Sequence, residues 1–144
     1  MKPAEALARI SYLRNMPEPA LDRLAEECTI TALARGATLF SEGDPPAGIF
    51  LIVGGRIKLL RTSSDGRQQV LHEEGPGATL AEVPVFDAGG YVGSAVAVED
   101  SAVLLIPREP LLEGLAHSPA NAVEVIGVLA ARLRKVAGGV EDVS

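Results

Sequence analysis

Cysteine is all but absent from this chain. A single residue, Cys28, occurs in 144, so no disulfide closes within one copy, and neither a cysteine-ligated iron–sulfur cluster nor a zinc knuckle can be built from it. Cys28 falls near the end of an amphipathic helical stretch, where a free thiol packs as a small hydrophobe. Basic residues are also scarce: 13 Lys and Arg against 19 Asp and Glu leave a formal net charge of −6. That balance lacks the clustered cations that a phosphate backbone requires, which argues against DNA binding by these residues alone. Histidine is limited to His72 and His117, far apart in the chain, too few for a metal site that converges several histidines and a carboxylate. Neither a nucleophile–base spacing nor a glycine-rich nucleotide loop is found, so no catalytic and no metal-binding residue is singled out. A long apolar run is missing as well. The opening MKPAEALARISYLRNM carries Glu5, Arg9 and Arg14 and is neither a signal peptide nor a membrane span. The expected location is the cytoplasm, away from membranes.

What is present is enough apolar material, 47% of the residues, for one core with a helical appendage. Pro3 to Asn15 and Pro17 to Cys28 place Leu7, Ile10 and Leu13, then Leu21, Leu24 and Ala25, at helical spacing, which predicts two opening helices. From Thr29 to Pro107 the texture changes to short β-rich runs. These are Thr29 to Ala34, Thr38 to Phe40, Gly48 to Val53, Arg56 to Arg61, Gln68 to Glu73, Thr79 to Ala81, Gly93 to Val98 and Ala102 to Ile106. Turn residues separate them at the spacing of a sandwich or barrel. Gly54-Gly55 and Asp65-Gly66 are read as tight hairpin turns, whose central residues take positive φ. Charges mainly on alternate positions of Arg56 to Arg61 predict one wet and one packed sheet face. The expected fold is mainly β with α: a closed, jelly-roll-like double-stranded β-roll flanked by helices.

After a short helical piece around Glu109 to Ala116, Ser118 as N-cap and Pro119 at the first helical position open a long helix,. Ile126, Leu129, Leu133, Val136, Val140 and Val143 recur in it at spacings of three and four, an a/d seam. Such a stripe either lays a helix on its own roll or pairs it with a second copy. The terminal position and regular spacing point to a homodimer. The paired glycines Gly138 and Gly139 lower helix stability near its end,. The expected division is a sensory unit over residues 1–117 and a dimerisation helix over 118–144.

The stretch LFSEGDPPAGIFLIVGGRIKLL, then Asp65-Gly66-Arg67, then Gly75-Pro76-Gly77 leading to Glu82, with Glu99-Asp100-Ser101 before an apolar strand, resembles the cyclic-nucleotide-binding β-roll of the CRP/FNR superfamily. The resemblance runs from about Leu13 to the end. It implies the ligand-sensing portion of a bacterial transcription regulator, with DNA read by a helix-turn-helix domain that has no counterpart pattern in this chain. The chain then reads as a sensory piece separated from its reader, or as a single-domain relative.

In that family a Gly-Glu pair, followed about ten residues later by Arg and Ser or Thr, holds ribose and cyclic phosphate. Here Ala81-Glu82-Val83 stands for the first element and Tyr91-Val92-Gly93-Ser94 for the second. The resemblance thus makes Glu82 the ribose carboxylate and Ser94 a phosphate hydroxyl, and it leaves the arginine missing, with Tyr91 and Val92 in its place. Ala81 in place of glycine crowds a ligand's approach to the backbone. The effector site expected is Ala81, Glu82, Val83, Tyr91, Val92, Gly93 and Ser94, for an effector other than standard cyclic AMP. Substitute cations in sequence are Arg56, Lys58, Arg61 and Arg67, which the strand pattern places on a solvated face, and Arg132 and Arg134 on the long helix. A haem effector would draw its axial ligands from His72 and His117, although histidines so placed, one at the end of an alternating strand and one before a helix cap, far more often have ordinary structural or solvent-facing roles. The rival reading is a cyclic-nucleotide-binding regulatory module of another signalling protein, which calls for a complete phosphate cassette.

Overall fold

A computed structural model describes the backbone of residues 2–143 and the side chains of residues 2–138. Helices α1 (Pro3–Leu7) and α2 (Glu18–Glu27) precede strands β1 (Thr29–Leu33), β2 (Thr38–Phe40), β3 (Gly48–Gly54), β4 (Ile57–Thr62), β5 (Gln68–Glu74) and β6 (Thr79–Leu80). A short helix α3 (Glu82–Asp87) interrupts them before β7 (Ser94–Ala97) and β8 (Ser101–Pro107), and α4 (Arg108–Ala116) and α5 (Pro119–Val143) complete the chain. The strands form two four-stranded sheets in the orders β1-β8-β3-β6 and β2-β7-β4-β5, with antiparallel pairing throughout. All eight expected strands are present with ends shifted by one residue or so, and the β-roll is as read from the pattern.

Two cores explain the residue choices. Phe40, Ile57, Leu59 and Ala95 from one sheet meet Phe50, Ile52, Leu80 and Val103 from the other. The helices cover the outer face of the β3–β8 sheet, where Ile49, Leu51, Leu104 and Ile106 pack with Leu7, Leu13, Leu111 and Val125. Strand β3 is therefore buried on both faces, which is why Ile49-Phe50-Leu51-Ile52 runs apolar without alternation,. In β4 the inward residues are Ile57 and Leu59. A bulge opposite Leu59 and Leu60 shifts the register, so the expected alternation stops there and Leu60 is buried too,.

Four expectations need correction. The first helix ends at Leu7 and gives way to tight turns, with Ile10 N donating to Leu7 O, Leu13 N to Ile10 O and Met16 N to Leu13 O. Leu7, Ile10, Leu13 and Met16 are spaced by exactly three, the period of a tighter helix, and all four are buried,. Gly54-Gly55 is not a hairpin turn, because β3 and β4 lie in different sheets. Only Gly55 takes positive φ, at 85°, and a Cβ there would lie 2.1 Å from Ser101 Oγ. Likewise only Gly66 of the Asp65-Gly66 pair has positive φ, within a five-residue loop in which Asp65 accepts from Arg67 N at 3.2 Å. Ser118 precedes α5 as expected, but its hydroxyl donates to Asn121 Oδ1.

Cys28 is half-buried after α2, with its thiol donating to Leu24 O at 3.3 Å. Burial first, then the Glu27 carboxylate, pushes the thiol up to about 11. Its reactive thiolate is thus suppressed in the folded chain and restored as pH rises through that value. Alkylation of Cys28 by iodoacetamide at pH 8 is expected to be about 100-fold slower in native buffer than in denaturant, measured by mass spectrometry. Equal rates would place the thiol in open solvent.

Candidate functional site

The turn between β6 and β7 carries the expected effector residues. Ala81 enters it at φ 77° and helix α3 begins at the next residue. A left-handed alanine costs about 1 kcal/mol relative to glycine, so Ala81 holds a conformation that glycine adopts more readily. Ala81→Gly is expected to stabilise the chain by about 0.5 kcal/mol after the glycine's unfolded-state entropy is counted. Thermal denaturation would show a rise of about 2 °C, and a fall would mean that the Ala81 methyl packs usefully.

Glu82 is 2% exposed, yet no donor it needs is missing. Its Oε2 accepts from the Tyr12 hydroxyl at 3.0 Å and from the Thr79 hydroxyl. Arg132 of α5 reaches it with Nη1 3.1 Å from Oε1 and Nη2 3.4 Å from Oε2. Three of these four donors crowd on Oε2 and one reaches Oε1. The pairing is charge-assisted, and it ties α5 to α3 across 50 residues of sequence. Tyr12 extends the tie, because its backbone oxygen accepts from Asn121 Nδ2 at 2.9 Å. Burial, then the neighbouring Glu82 charge, raises the Tyr12 hydroxyl well above the usual phenol range, so it is a proton donor at any physiological pH,. Burial works against the charge of the Arg132 guanidinium, but the Glu82 hydrogen bond and charge, together with Tyr12 and Glu74, hold it more firmly in its charged form.

A cavity of about 340 Å³ opens beside this pair, lined by Ala81, Glu82, Val83 and Val92 among the expected residues. Tyr91, Gly93 and Ser94 do not line it. Tyr91 is claimed by the core: its ring stacks on Phe40 with centroids 4.0 Å apart, and its oxygen accepts from Ala47 N at 2.9 Å. Gly93 sits against β4, where a Cβ would come within 2.7 Å of Leu60 O. Ser94 Oγ accepts from Glu42 N at 2.9 Å, securing the turn before β3. Between Glu82 and Ser94 the chain holds no Arg or Lys. Arg56 pairs with Glu73 at 3.2 Å on the open sheet face, and Arg67 pairs with Asp65 at 3.5 Å in an exposed loop. Of the six cations weighed in the sequence, Arg132 alone lines the cavity.

Further lining residues were not legible as site residues: Leu59, Glu74, Thr79, Leu80, Pro84 and Lys135, while His72, weighed in the sequence only as a haem ligand, lines the cavity as well. Tyr12 and Thr79 were hidden for the same reason. Their role depends on contacts made only after folding, 70 residues apart for Tyr12. His72 lies with Nδ1 3.3 Å from Glu74 Oε1. His117 lines a different groove, between α2 and α4, and its Nδ1 is 2.8 Å from Glu113 O. The two histidines are thus not brought to one site, and a haem held between them does not fit this arrangement.

Along α5, Val125 is buried and Val128 and Leu129 pack partly on the helical core. Ile126, Leu133 and Val136 are 64%, 70% and 65% exposed, and Val123, not assigned to the seam in the sequence, joins them at 65%. The seam is therefore split: Leu129 leans on the chain's own core, and Ile126, Leu133 and Val136 stand open. The Val140 and Val143 side chains lie outside the described residues. Among the described residues no helix is long and apolar enough to cross a membrane.

Residues 30–118 match the family model described as cyclic nucleotide-binding domain. The chain is 29% identical over 138 residues to a CRP-like cAMP-activated global transcriptional regulator of Mycobacterium tuberculosis, covering 96% of this chain and 62% of that protein. It is 35% identical over 101 residues to the cyclic AMP receptor protein of Thermus thermophilus, covering 70% of this chain and 47% of the relative. In fold it superposes with a TM-score of 0.84 on the sensor domain of the transcriptional regulator DNR from Pseudomonas aeruginosa, at 23% identity, over 93% of this chain and 90% of that one. The chain thus spans less than two thirds of the two regulators it matches in sequence. With residues 30–118 matching its model, the chain belongs to the cyclic nucleotide-binding domain family, and in sequence it is similar to CRP-like transcription regulators.

Proposed function

We propose that this chain senses an effector other than standard cyclic AMP and passes the signal to a homodimer interface of a transcription regulator. The sensory unit is residues 1–117 and the dimerisation helix residues 118–144. The observation that carries this reading is the position of α5. Its Arg132 holds the pocket carboxylate Glu82 at 3.1 Å, and Ile126, Leu133 and Val136 of the same helix stand open to solvent. An apolar row of this size on a helix is an interaction surface, and its a/d spacing suits a parallel partner helix. The effector works by population shift: it must favour one position of α5 over another, or nothing is transmitted. DNA contact belongs to a separate reading domain, since a net charge of −6 gives these residues no phosphate-binding footprint,. Action on DNA sets the working location in the cytoplasm.

Two features weigh against standard cyclic AMP. The cavity has no cassette arginine, and the carboxylate expected to receive ribose hydroxyls already accepts four hydrogen bonds from the chain itself. Sedimentation velocity over a concentration series tests the dimer half of the proposal. A dimer with micromolar or tighter affinity, roughly −8 kcal/mol, is expected, and a monomer at every concentration would refute it.

A further inference from the structure

The cavity beside α3 combines apolar walls with cations that come from α5. Leu59, Leu80, Val83 and Val92 supply the walls, and Arg132 and Lys135 stand at the helix side. Both lining acids are already engaged, Glu82 with Arg132 and Glu74 with His72. Lys135 has no ion pair among the described residues. Arg132 is 49% exposed on its side chain, and a guanidinium carries five N–H donors, more than Glu82 uses. At about 340 Å³ the space suits a metabolite rather than a macromolecular segment,.

We infer that the cavity takes a small organic acid with an apolar body, its carboxylate held by Arg132 and Lys135 of α5. The deduction rests on the effector-sensing reading above and names its ligand class and the residues that hold it. The anion-binding charge, absent from the α3–β7 turn, stands instead on the long helix. A ligand held this way touches the dimerisation helix directly. Its acid group competes with Glu82 for Arg132, so occupancy changes the tie between α5 and α3 without an intermediate element. Arg132 balances the Glu82 charge at 3.1 Å, and Lys135 adds a second lining cation against the charge of Glu74. A neutral ligand of the same body would leave Lys135 unpaired and gain only the apolar walls.

The test is a titration of the full chain, followed by amide chemical shifts, with straight-chain carboxylates from butanoate to dodecanoate and the matching primary amides. At least one carboxylate is expected to shift the resonances of Val83, Val92 and Lys135 and to bind at least ten-fold tighter than its amide. Lys135→Gln, which removes an exposed side chain and leaves Glu82 paired, is expected to weaken that carboxylate about ten-fold. Arg132→Gln should weaken it further, with sedimentation checking that this variant is still folded. Equal binding of acid and amide, no carboxylate binding up to about 10 mM, or an unchanged affinity in Lys135→Gln overturns the inference. None of these outcomes touches the dimer, whose failure is read separately by sedimentation of the unliganded chain. Cyclic AMP run in parallel reports on the effector reading itself: tight nucleotide binding defeats that reading together with this inference.

Discussion

Leu133→Asp is expected to leave the chain monomeric at concentrations where the parent is dimeric. Leu133 is 70% exposed, so the substitution removes little packing within the chain and the fold should survive. At the interface it replaces a buried apolar knob, worth about 2 kcal/mol, by a carboxylate that must be desolvated twice over in a two-fold pair. The dissociation constant should rise by more than about 100-fold, seen by sedimentation velocity, with circular dichroism unchanged. Leu129→Asp is a different experiment. Leu129 packs partly on the helical core, so a loss of stability is expected along with any loss of dimer. A Leu133→Asp profile identical to the parent's would remove the open face of α5 from the interface.

Glu82→Ala is expected to be the most destabilising single change around the cavity. It strips the acceptor from the buried Tyr12 hydroxyl and from Thr79 and frees Arg132. Breaking a buried pair by removing one partner costs about 3–5 kcal/mol. The half-exposed Arg132 side chain recovers some of that by turning to water, so about 3 kcal/mol is expected, a fall of roughly 10 °C in melting temperature. Glu82→Gln keeps the shape and part of the bonding, and its loss should be about half as large. A double-mutant cycle with Arg132→Gln isolates the pair itself. If Glu82→Ala melts within 2 °C of the parent, about 0.5 kcal/mol, the donors are satisfied by water and Glu82 does not tie α5 to the roll.

The roll was legible in the sequence because its strands obey local rules. Turn residues break the β-rich runs at regular intervals, and the doubly covered β3 shows as an unbroken apolar run,. Strand partnership was not legible. Nothing in Gly54-Gly55 tells that the chain there leaves one sheet for the other, because a tight turn and a crossover both call for glycine. The period of three in Leu7, Ile10, Leu13 and Met16 was present in the letters, but over so short a stretch it is close to the ordinary helical period.

The site divides in the same way. Glu82 was singled out by the motif around it, whereas Arg132 was only one of two helix arginines weighed, of a kind that usually stays in water. Tyr91 was misplaced because motif position says which residue stands near a pocket, not which way its side chain turns, and the Phe40 ring offered it a better partner than the cavity,. The hydroxyls of Tyr12 and Thr79 became visible only through the buried carboxylate they serve, since a buried charge must be paired and its partners can come from anywhere in the fold.

The central claim is that this pocket has exchanged the nucleotide for another effector, and calorimetric titration of the chain with cyclic AMP tests it most directly. Loss of the charge-assisted arginine contact should cost a few kcal/mol. No heat of binding up to about millimolar ligand, weaker than roughly −4 kcal/mol, is the predicted result. A micromolar dissociation constant, roughly −8 kcal/mol, would contradict the account and make this chain a cyclic AMP sensor whose phosphate is held from α5.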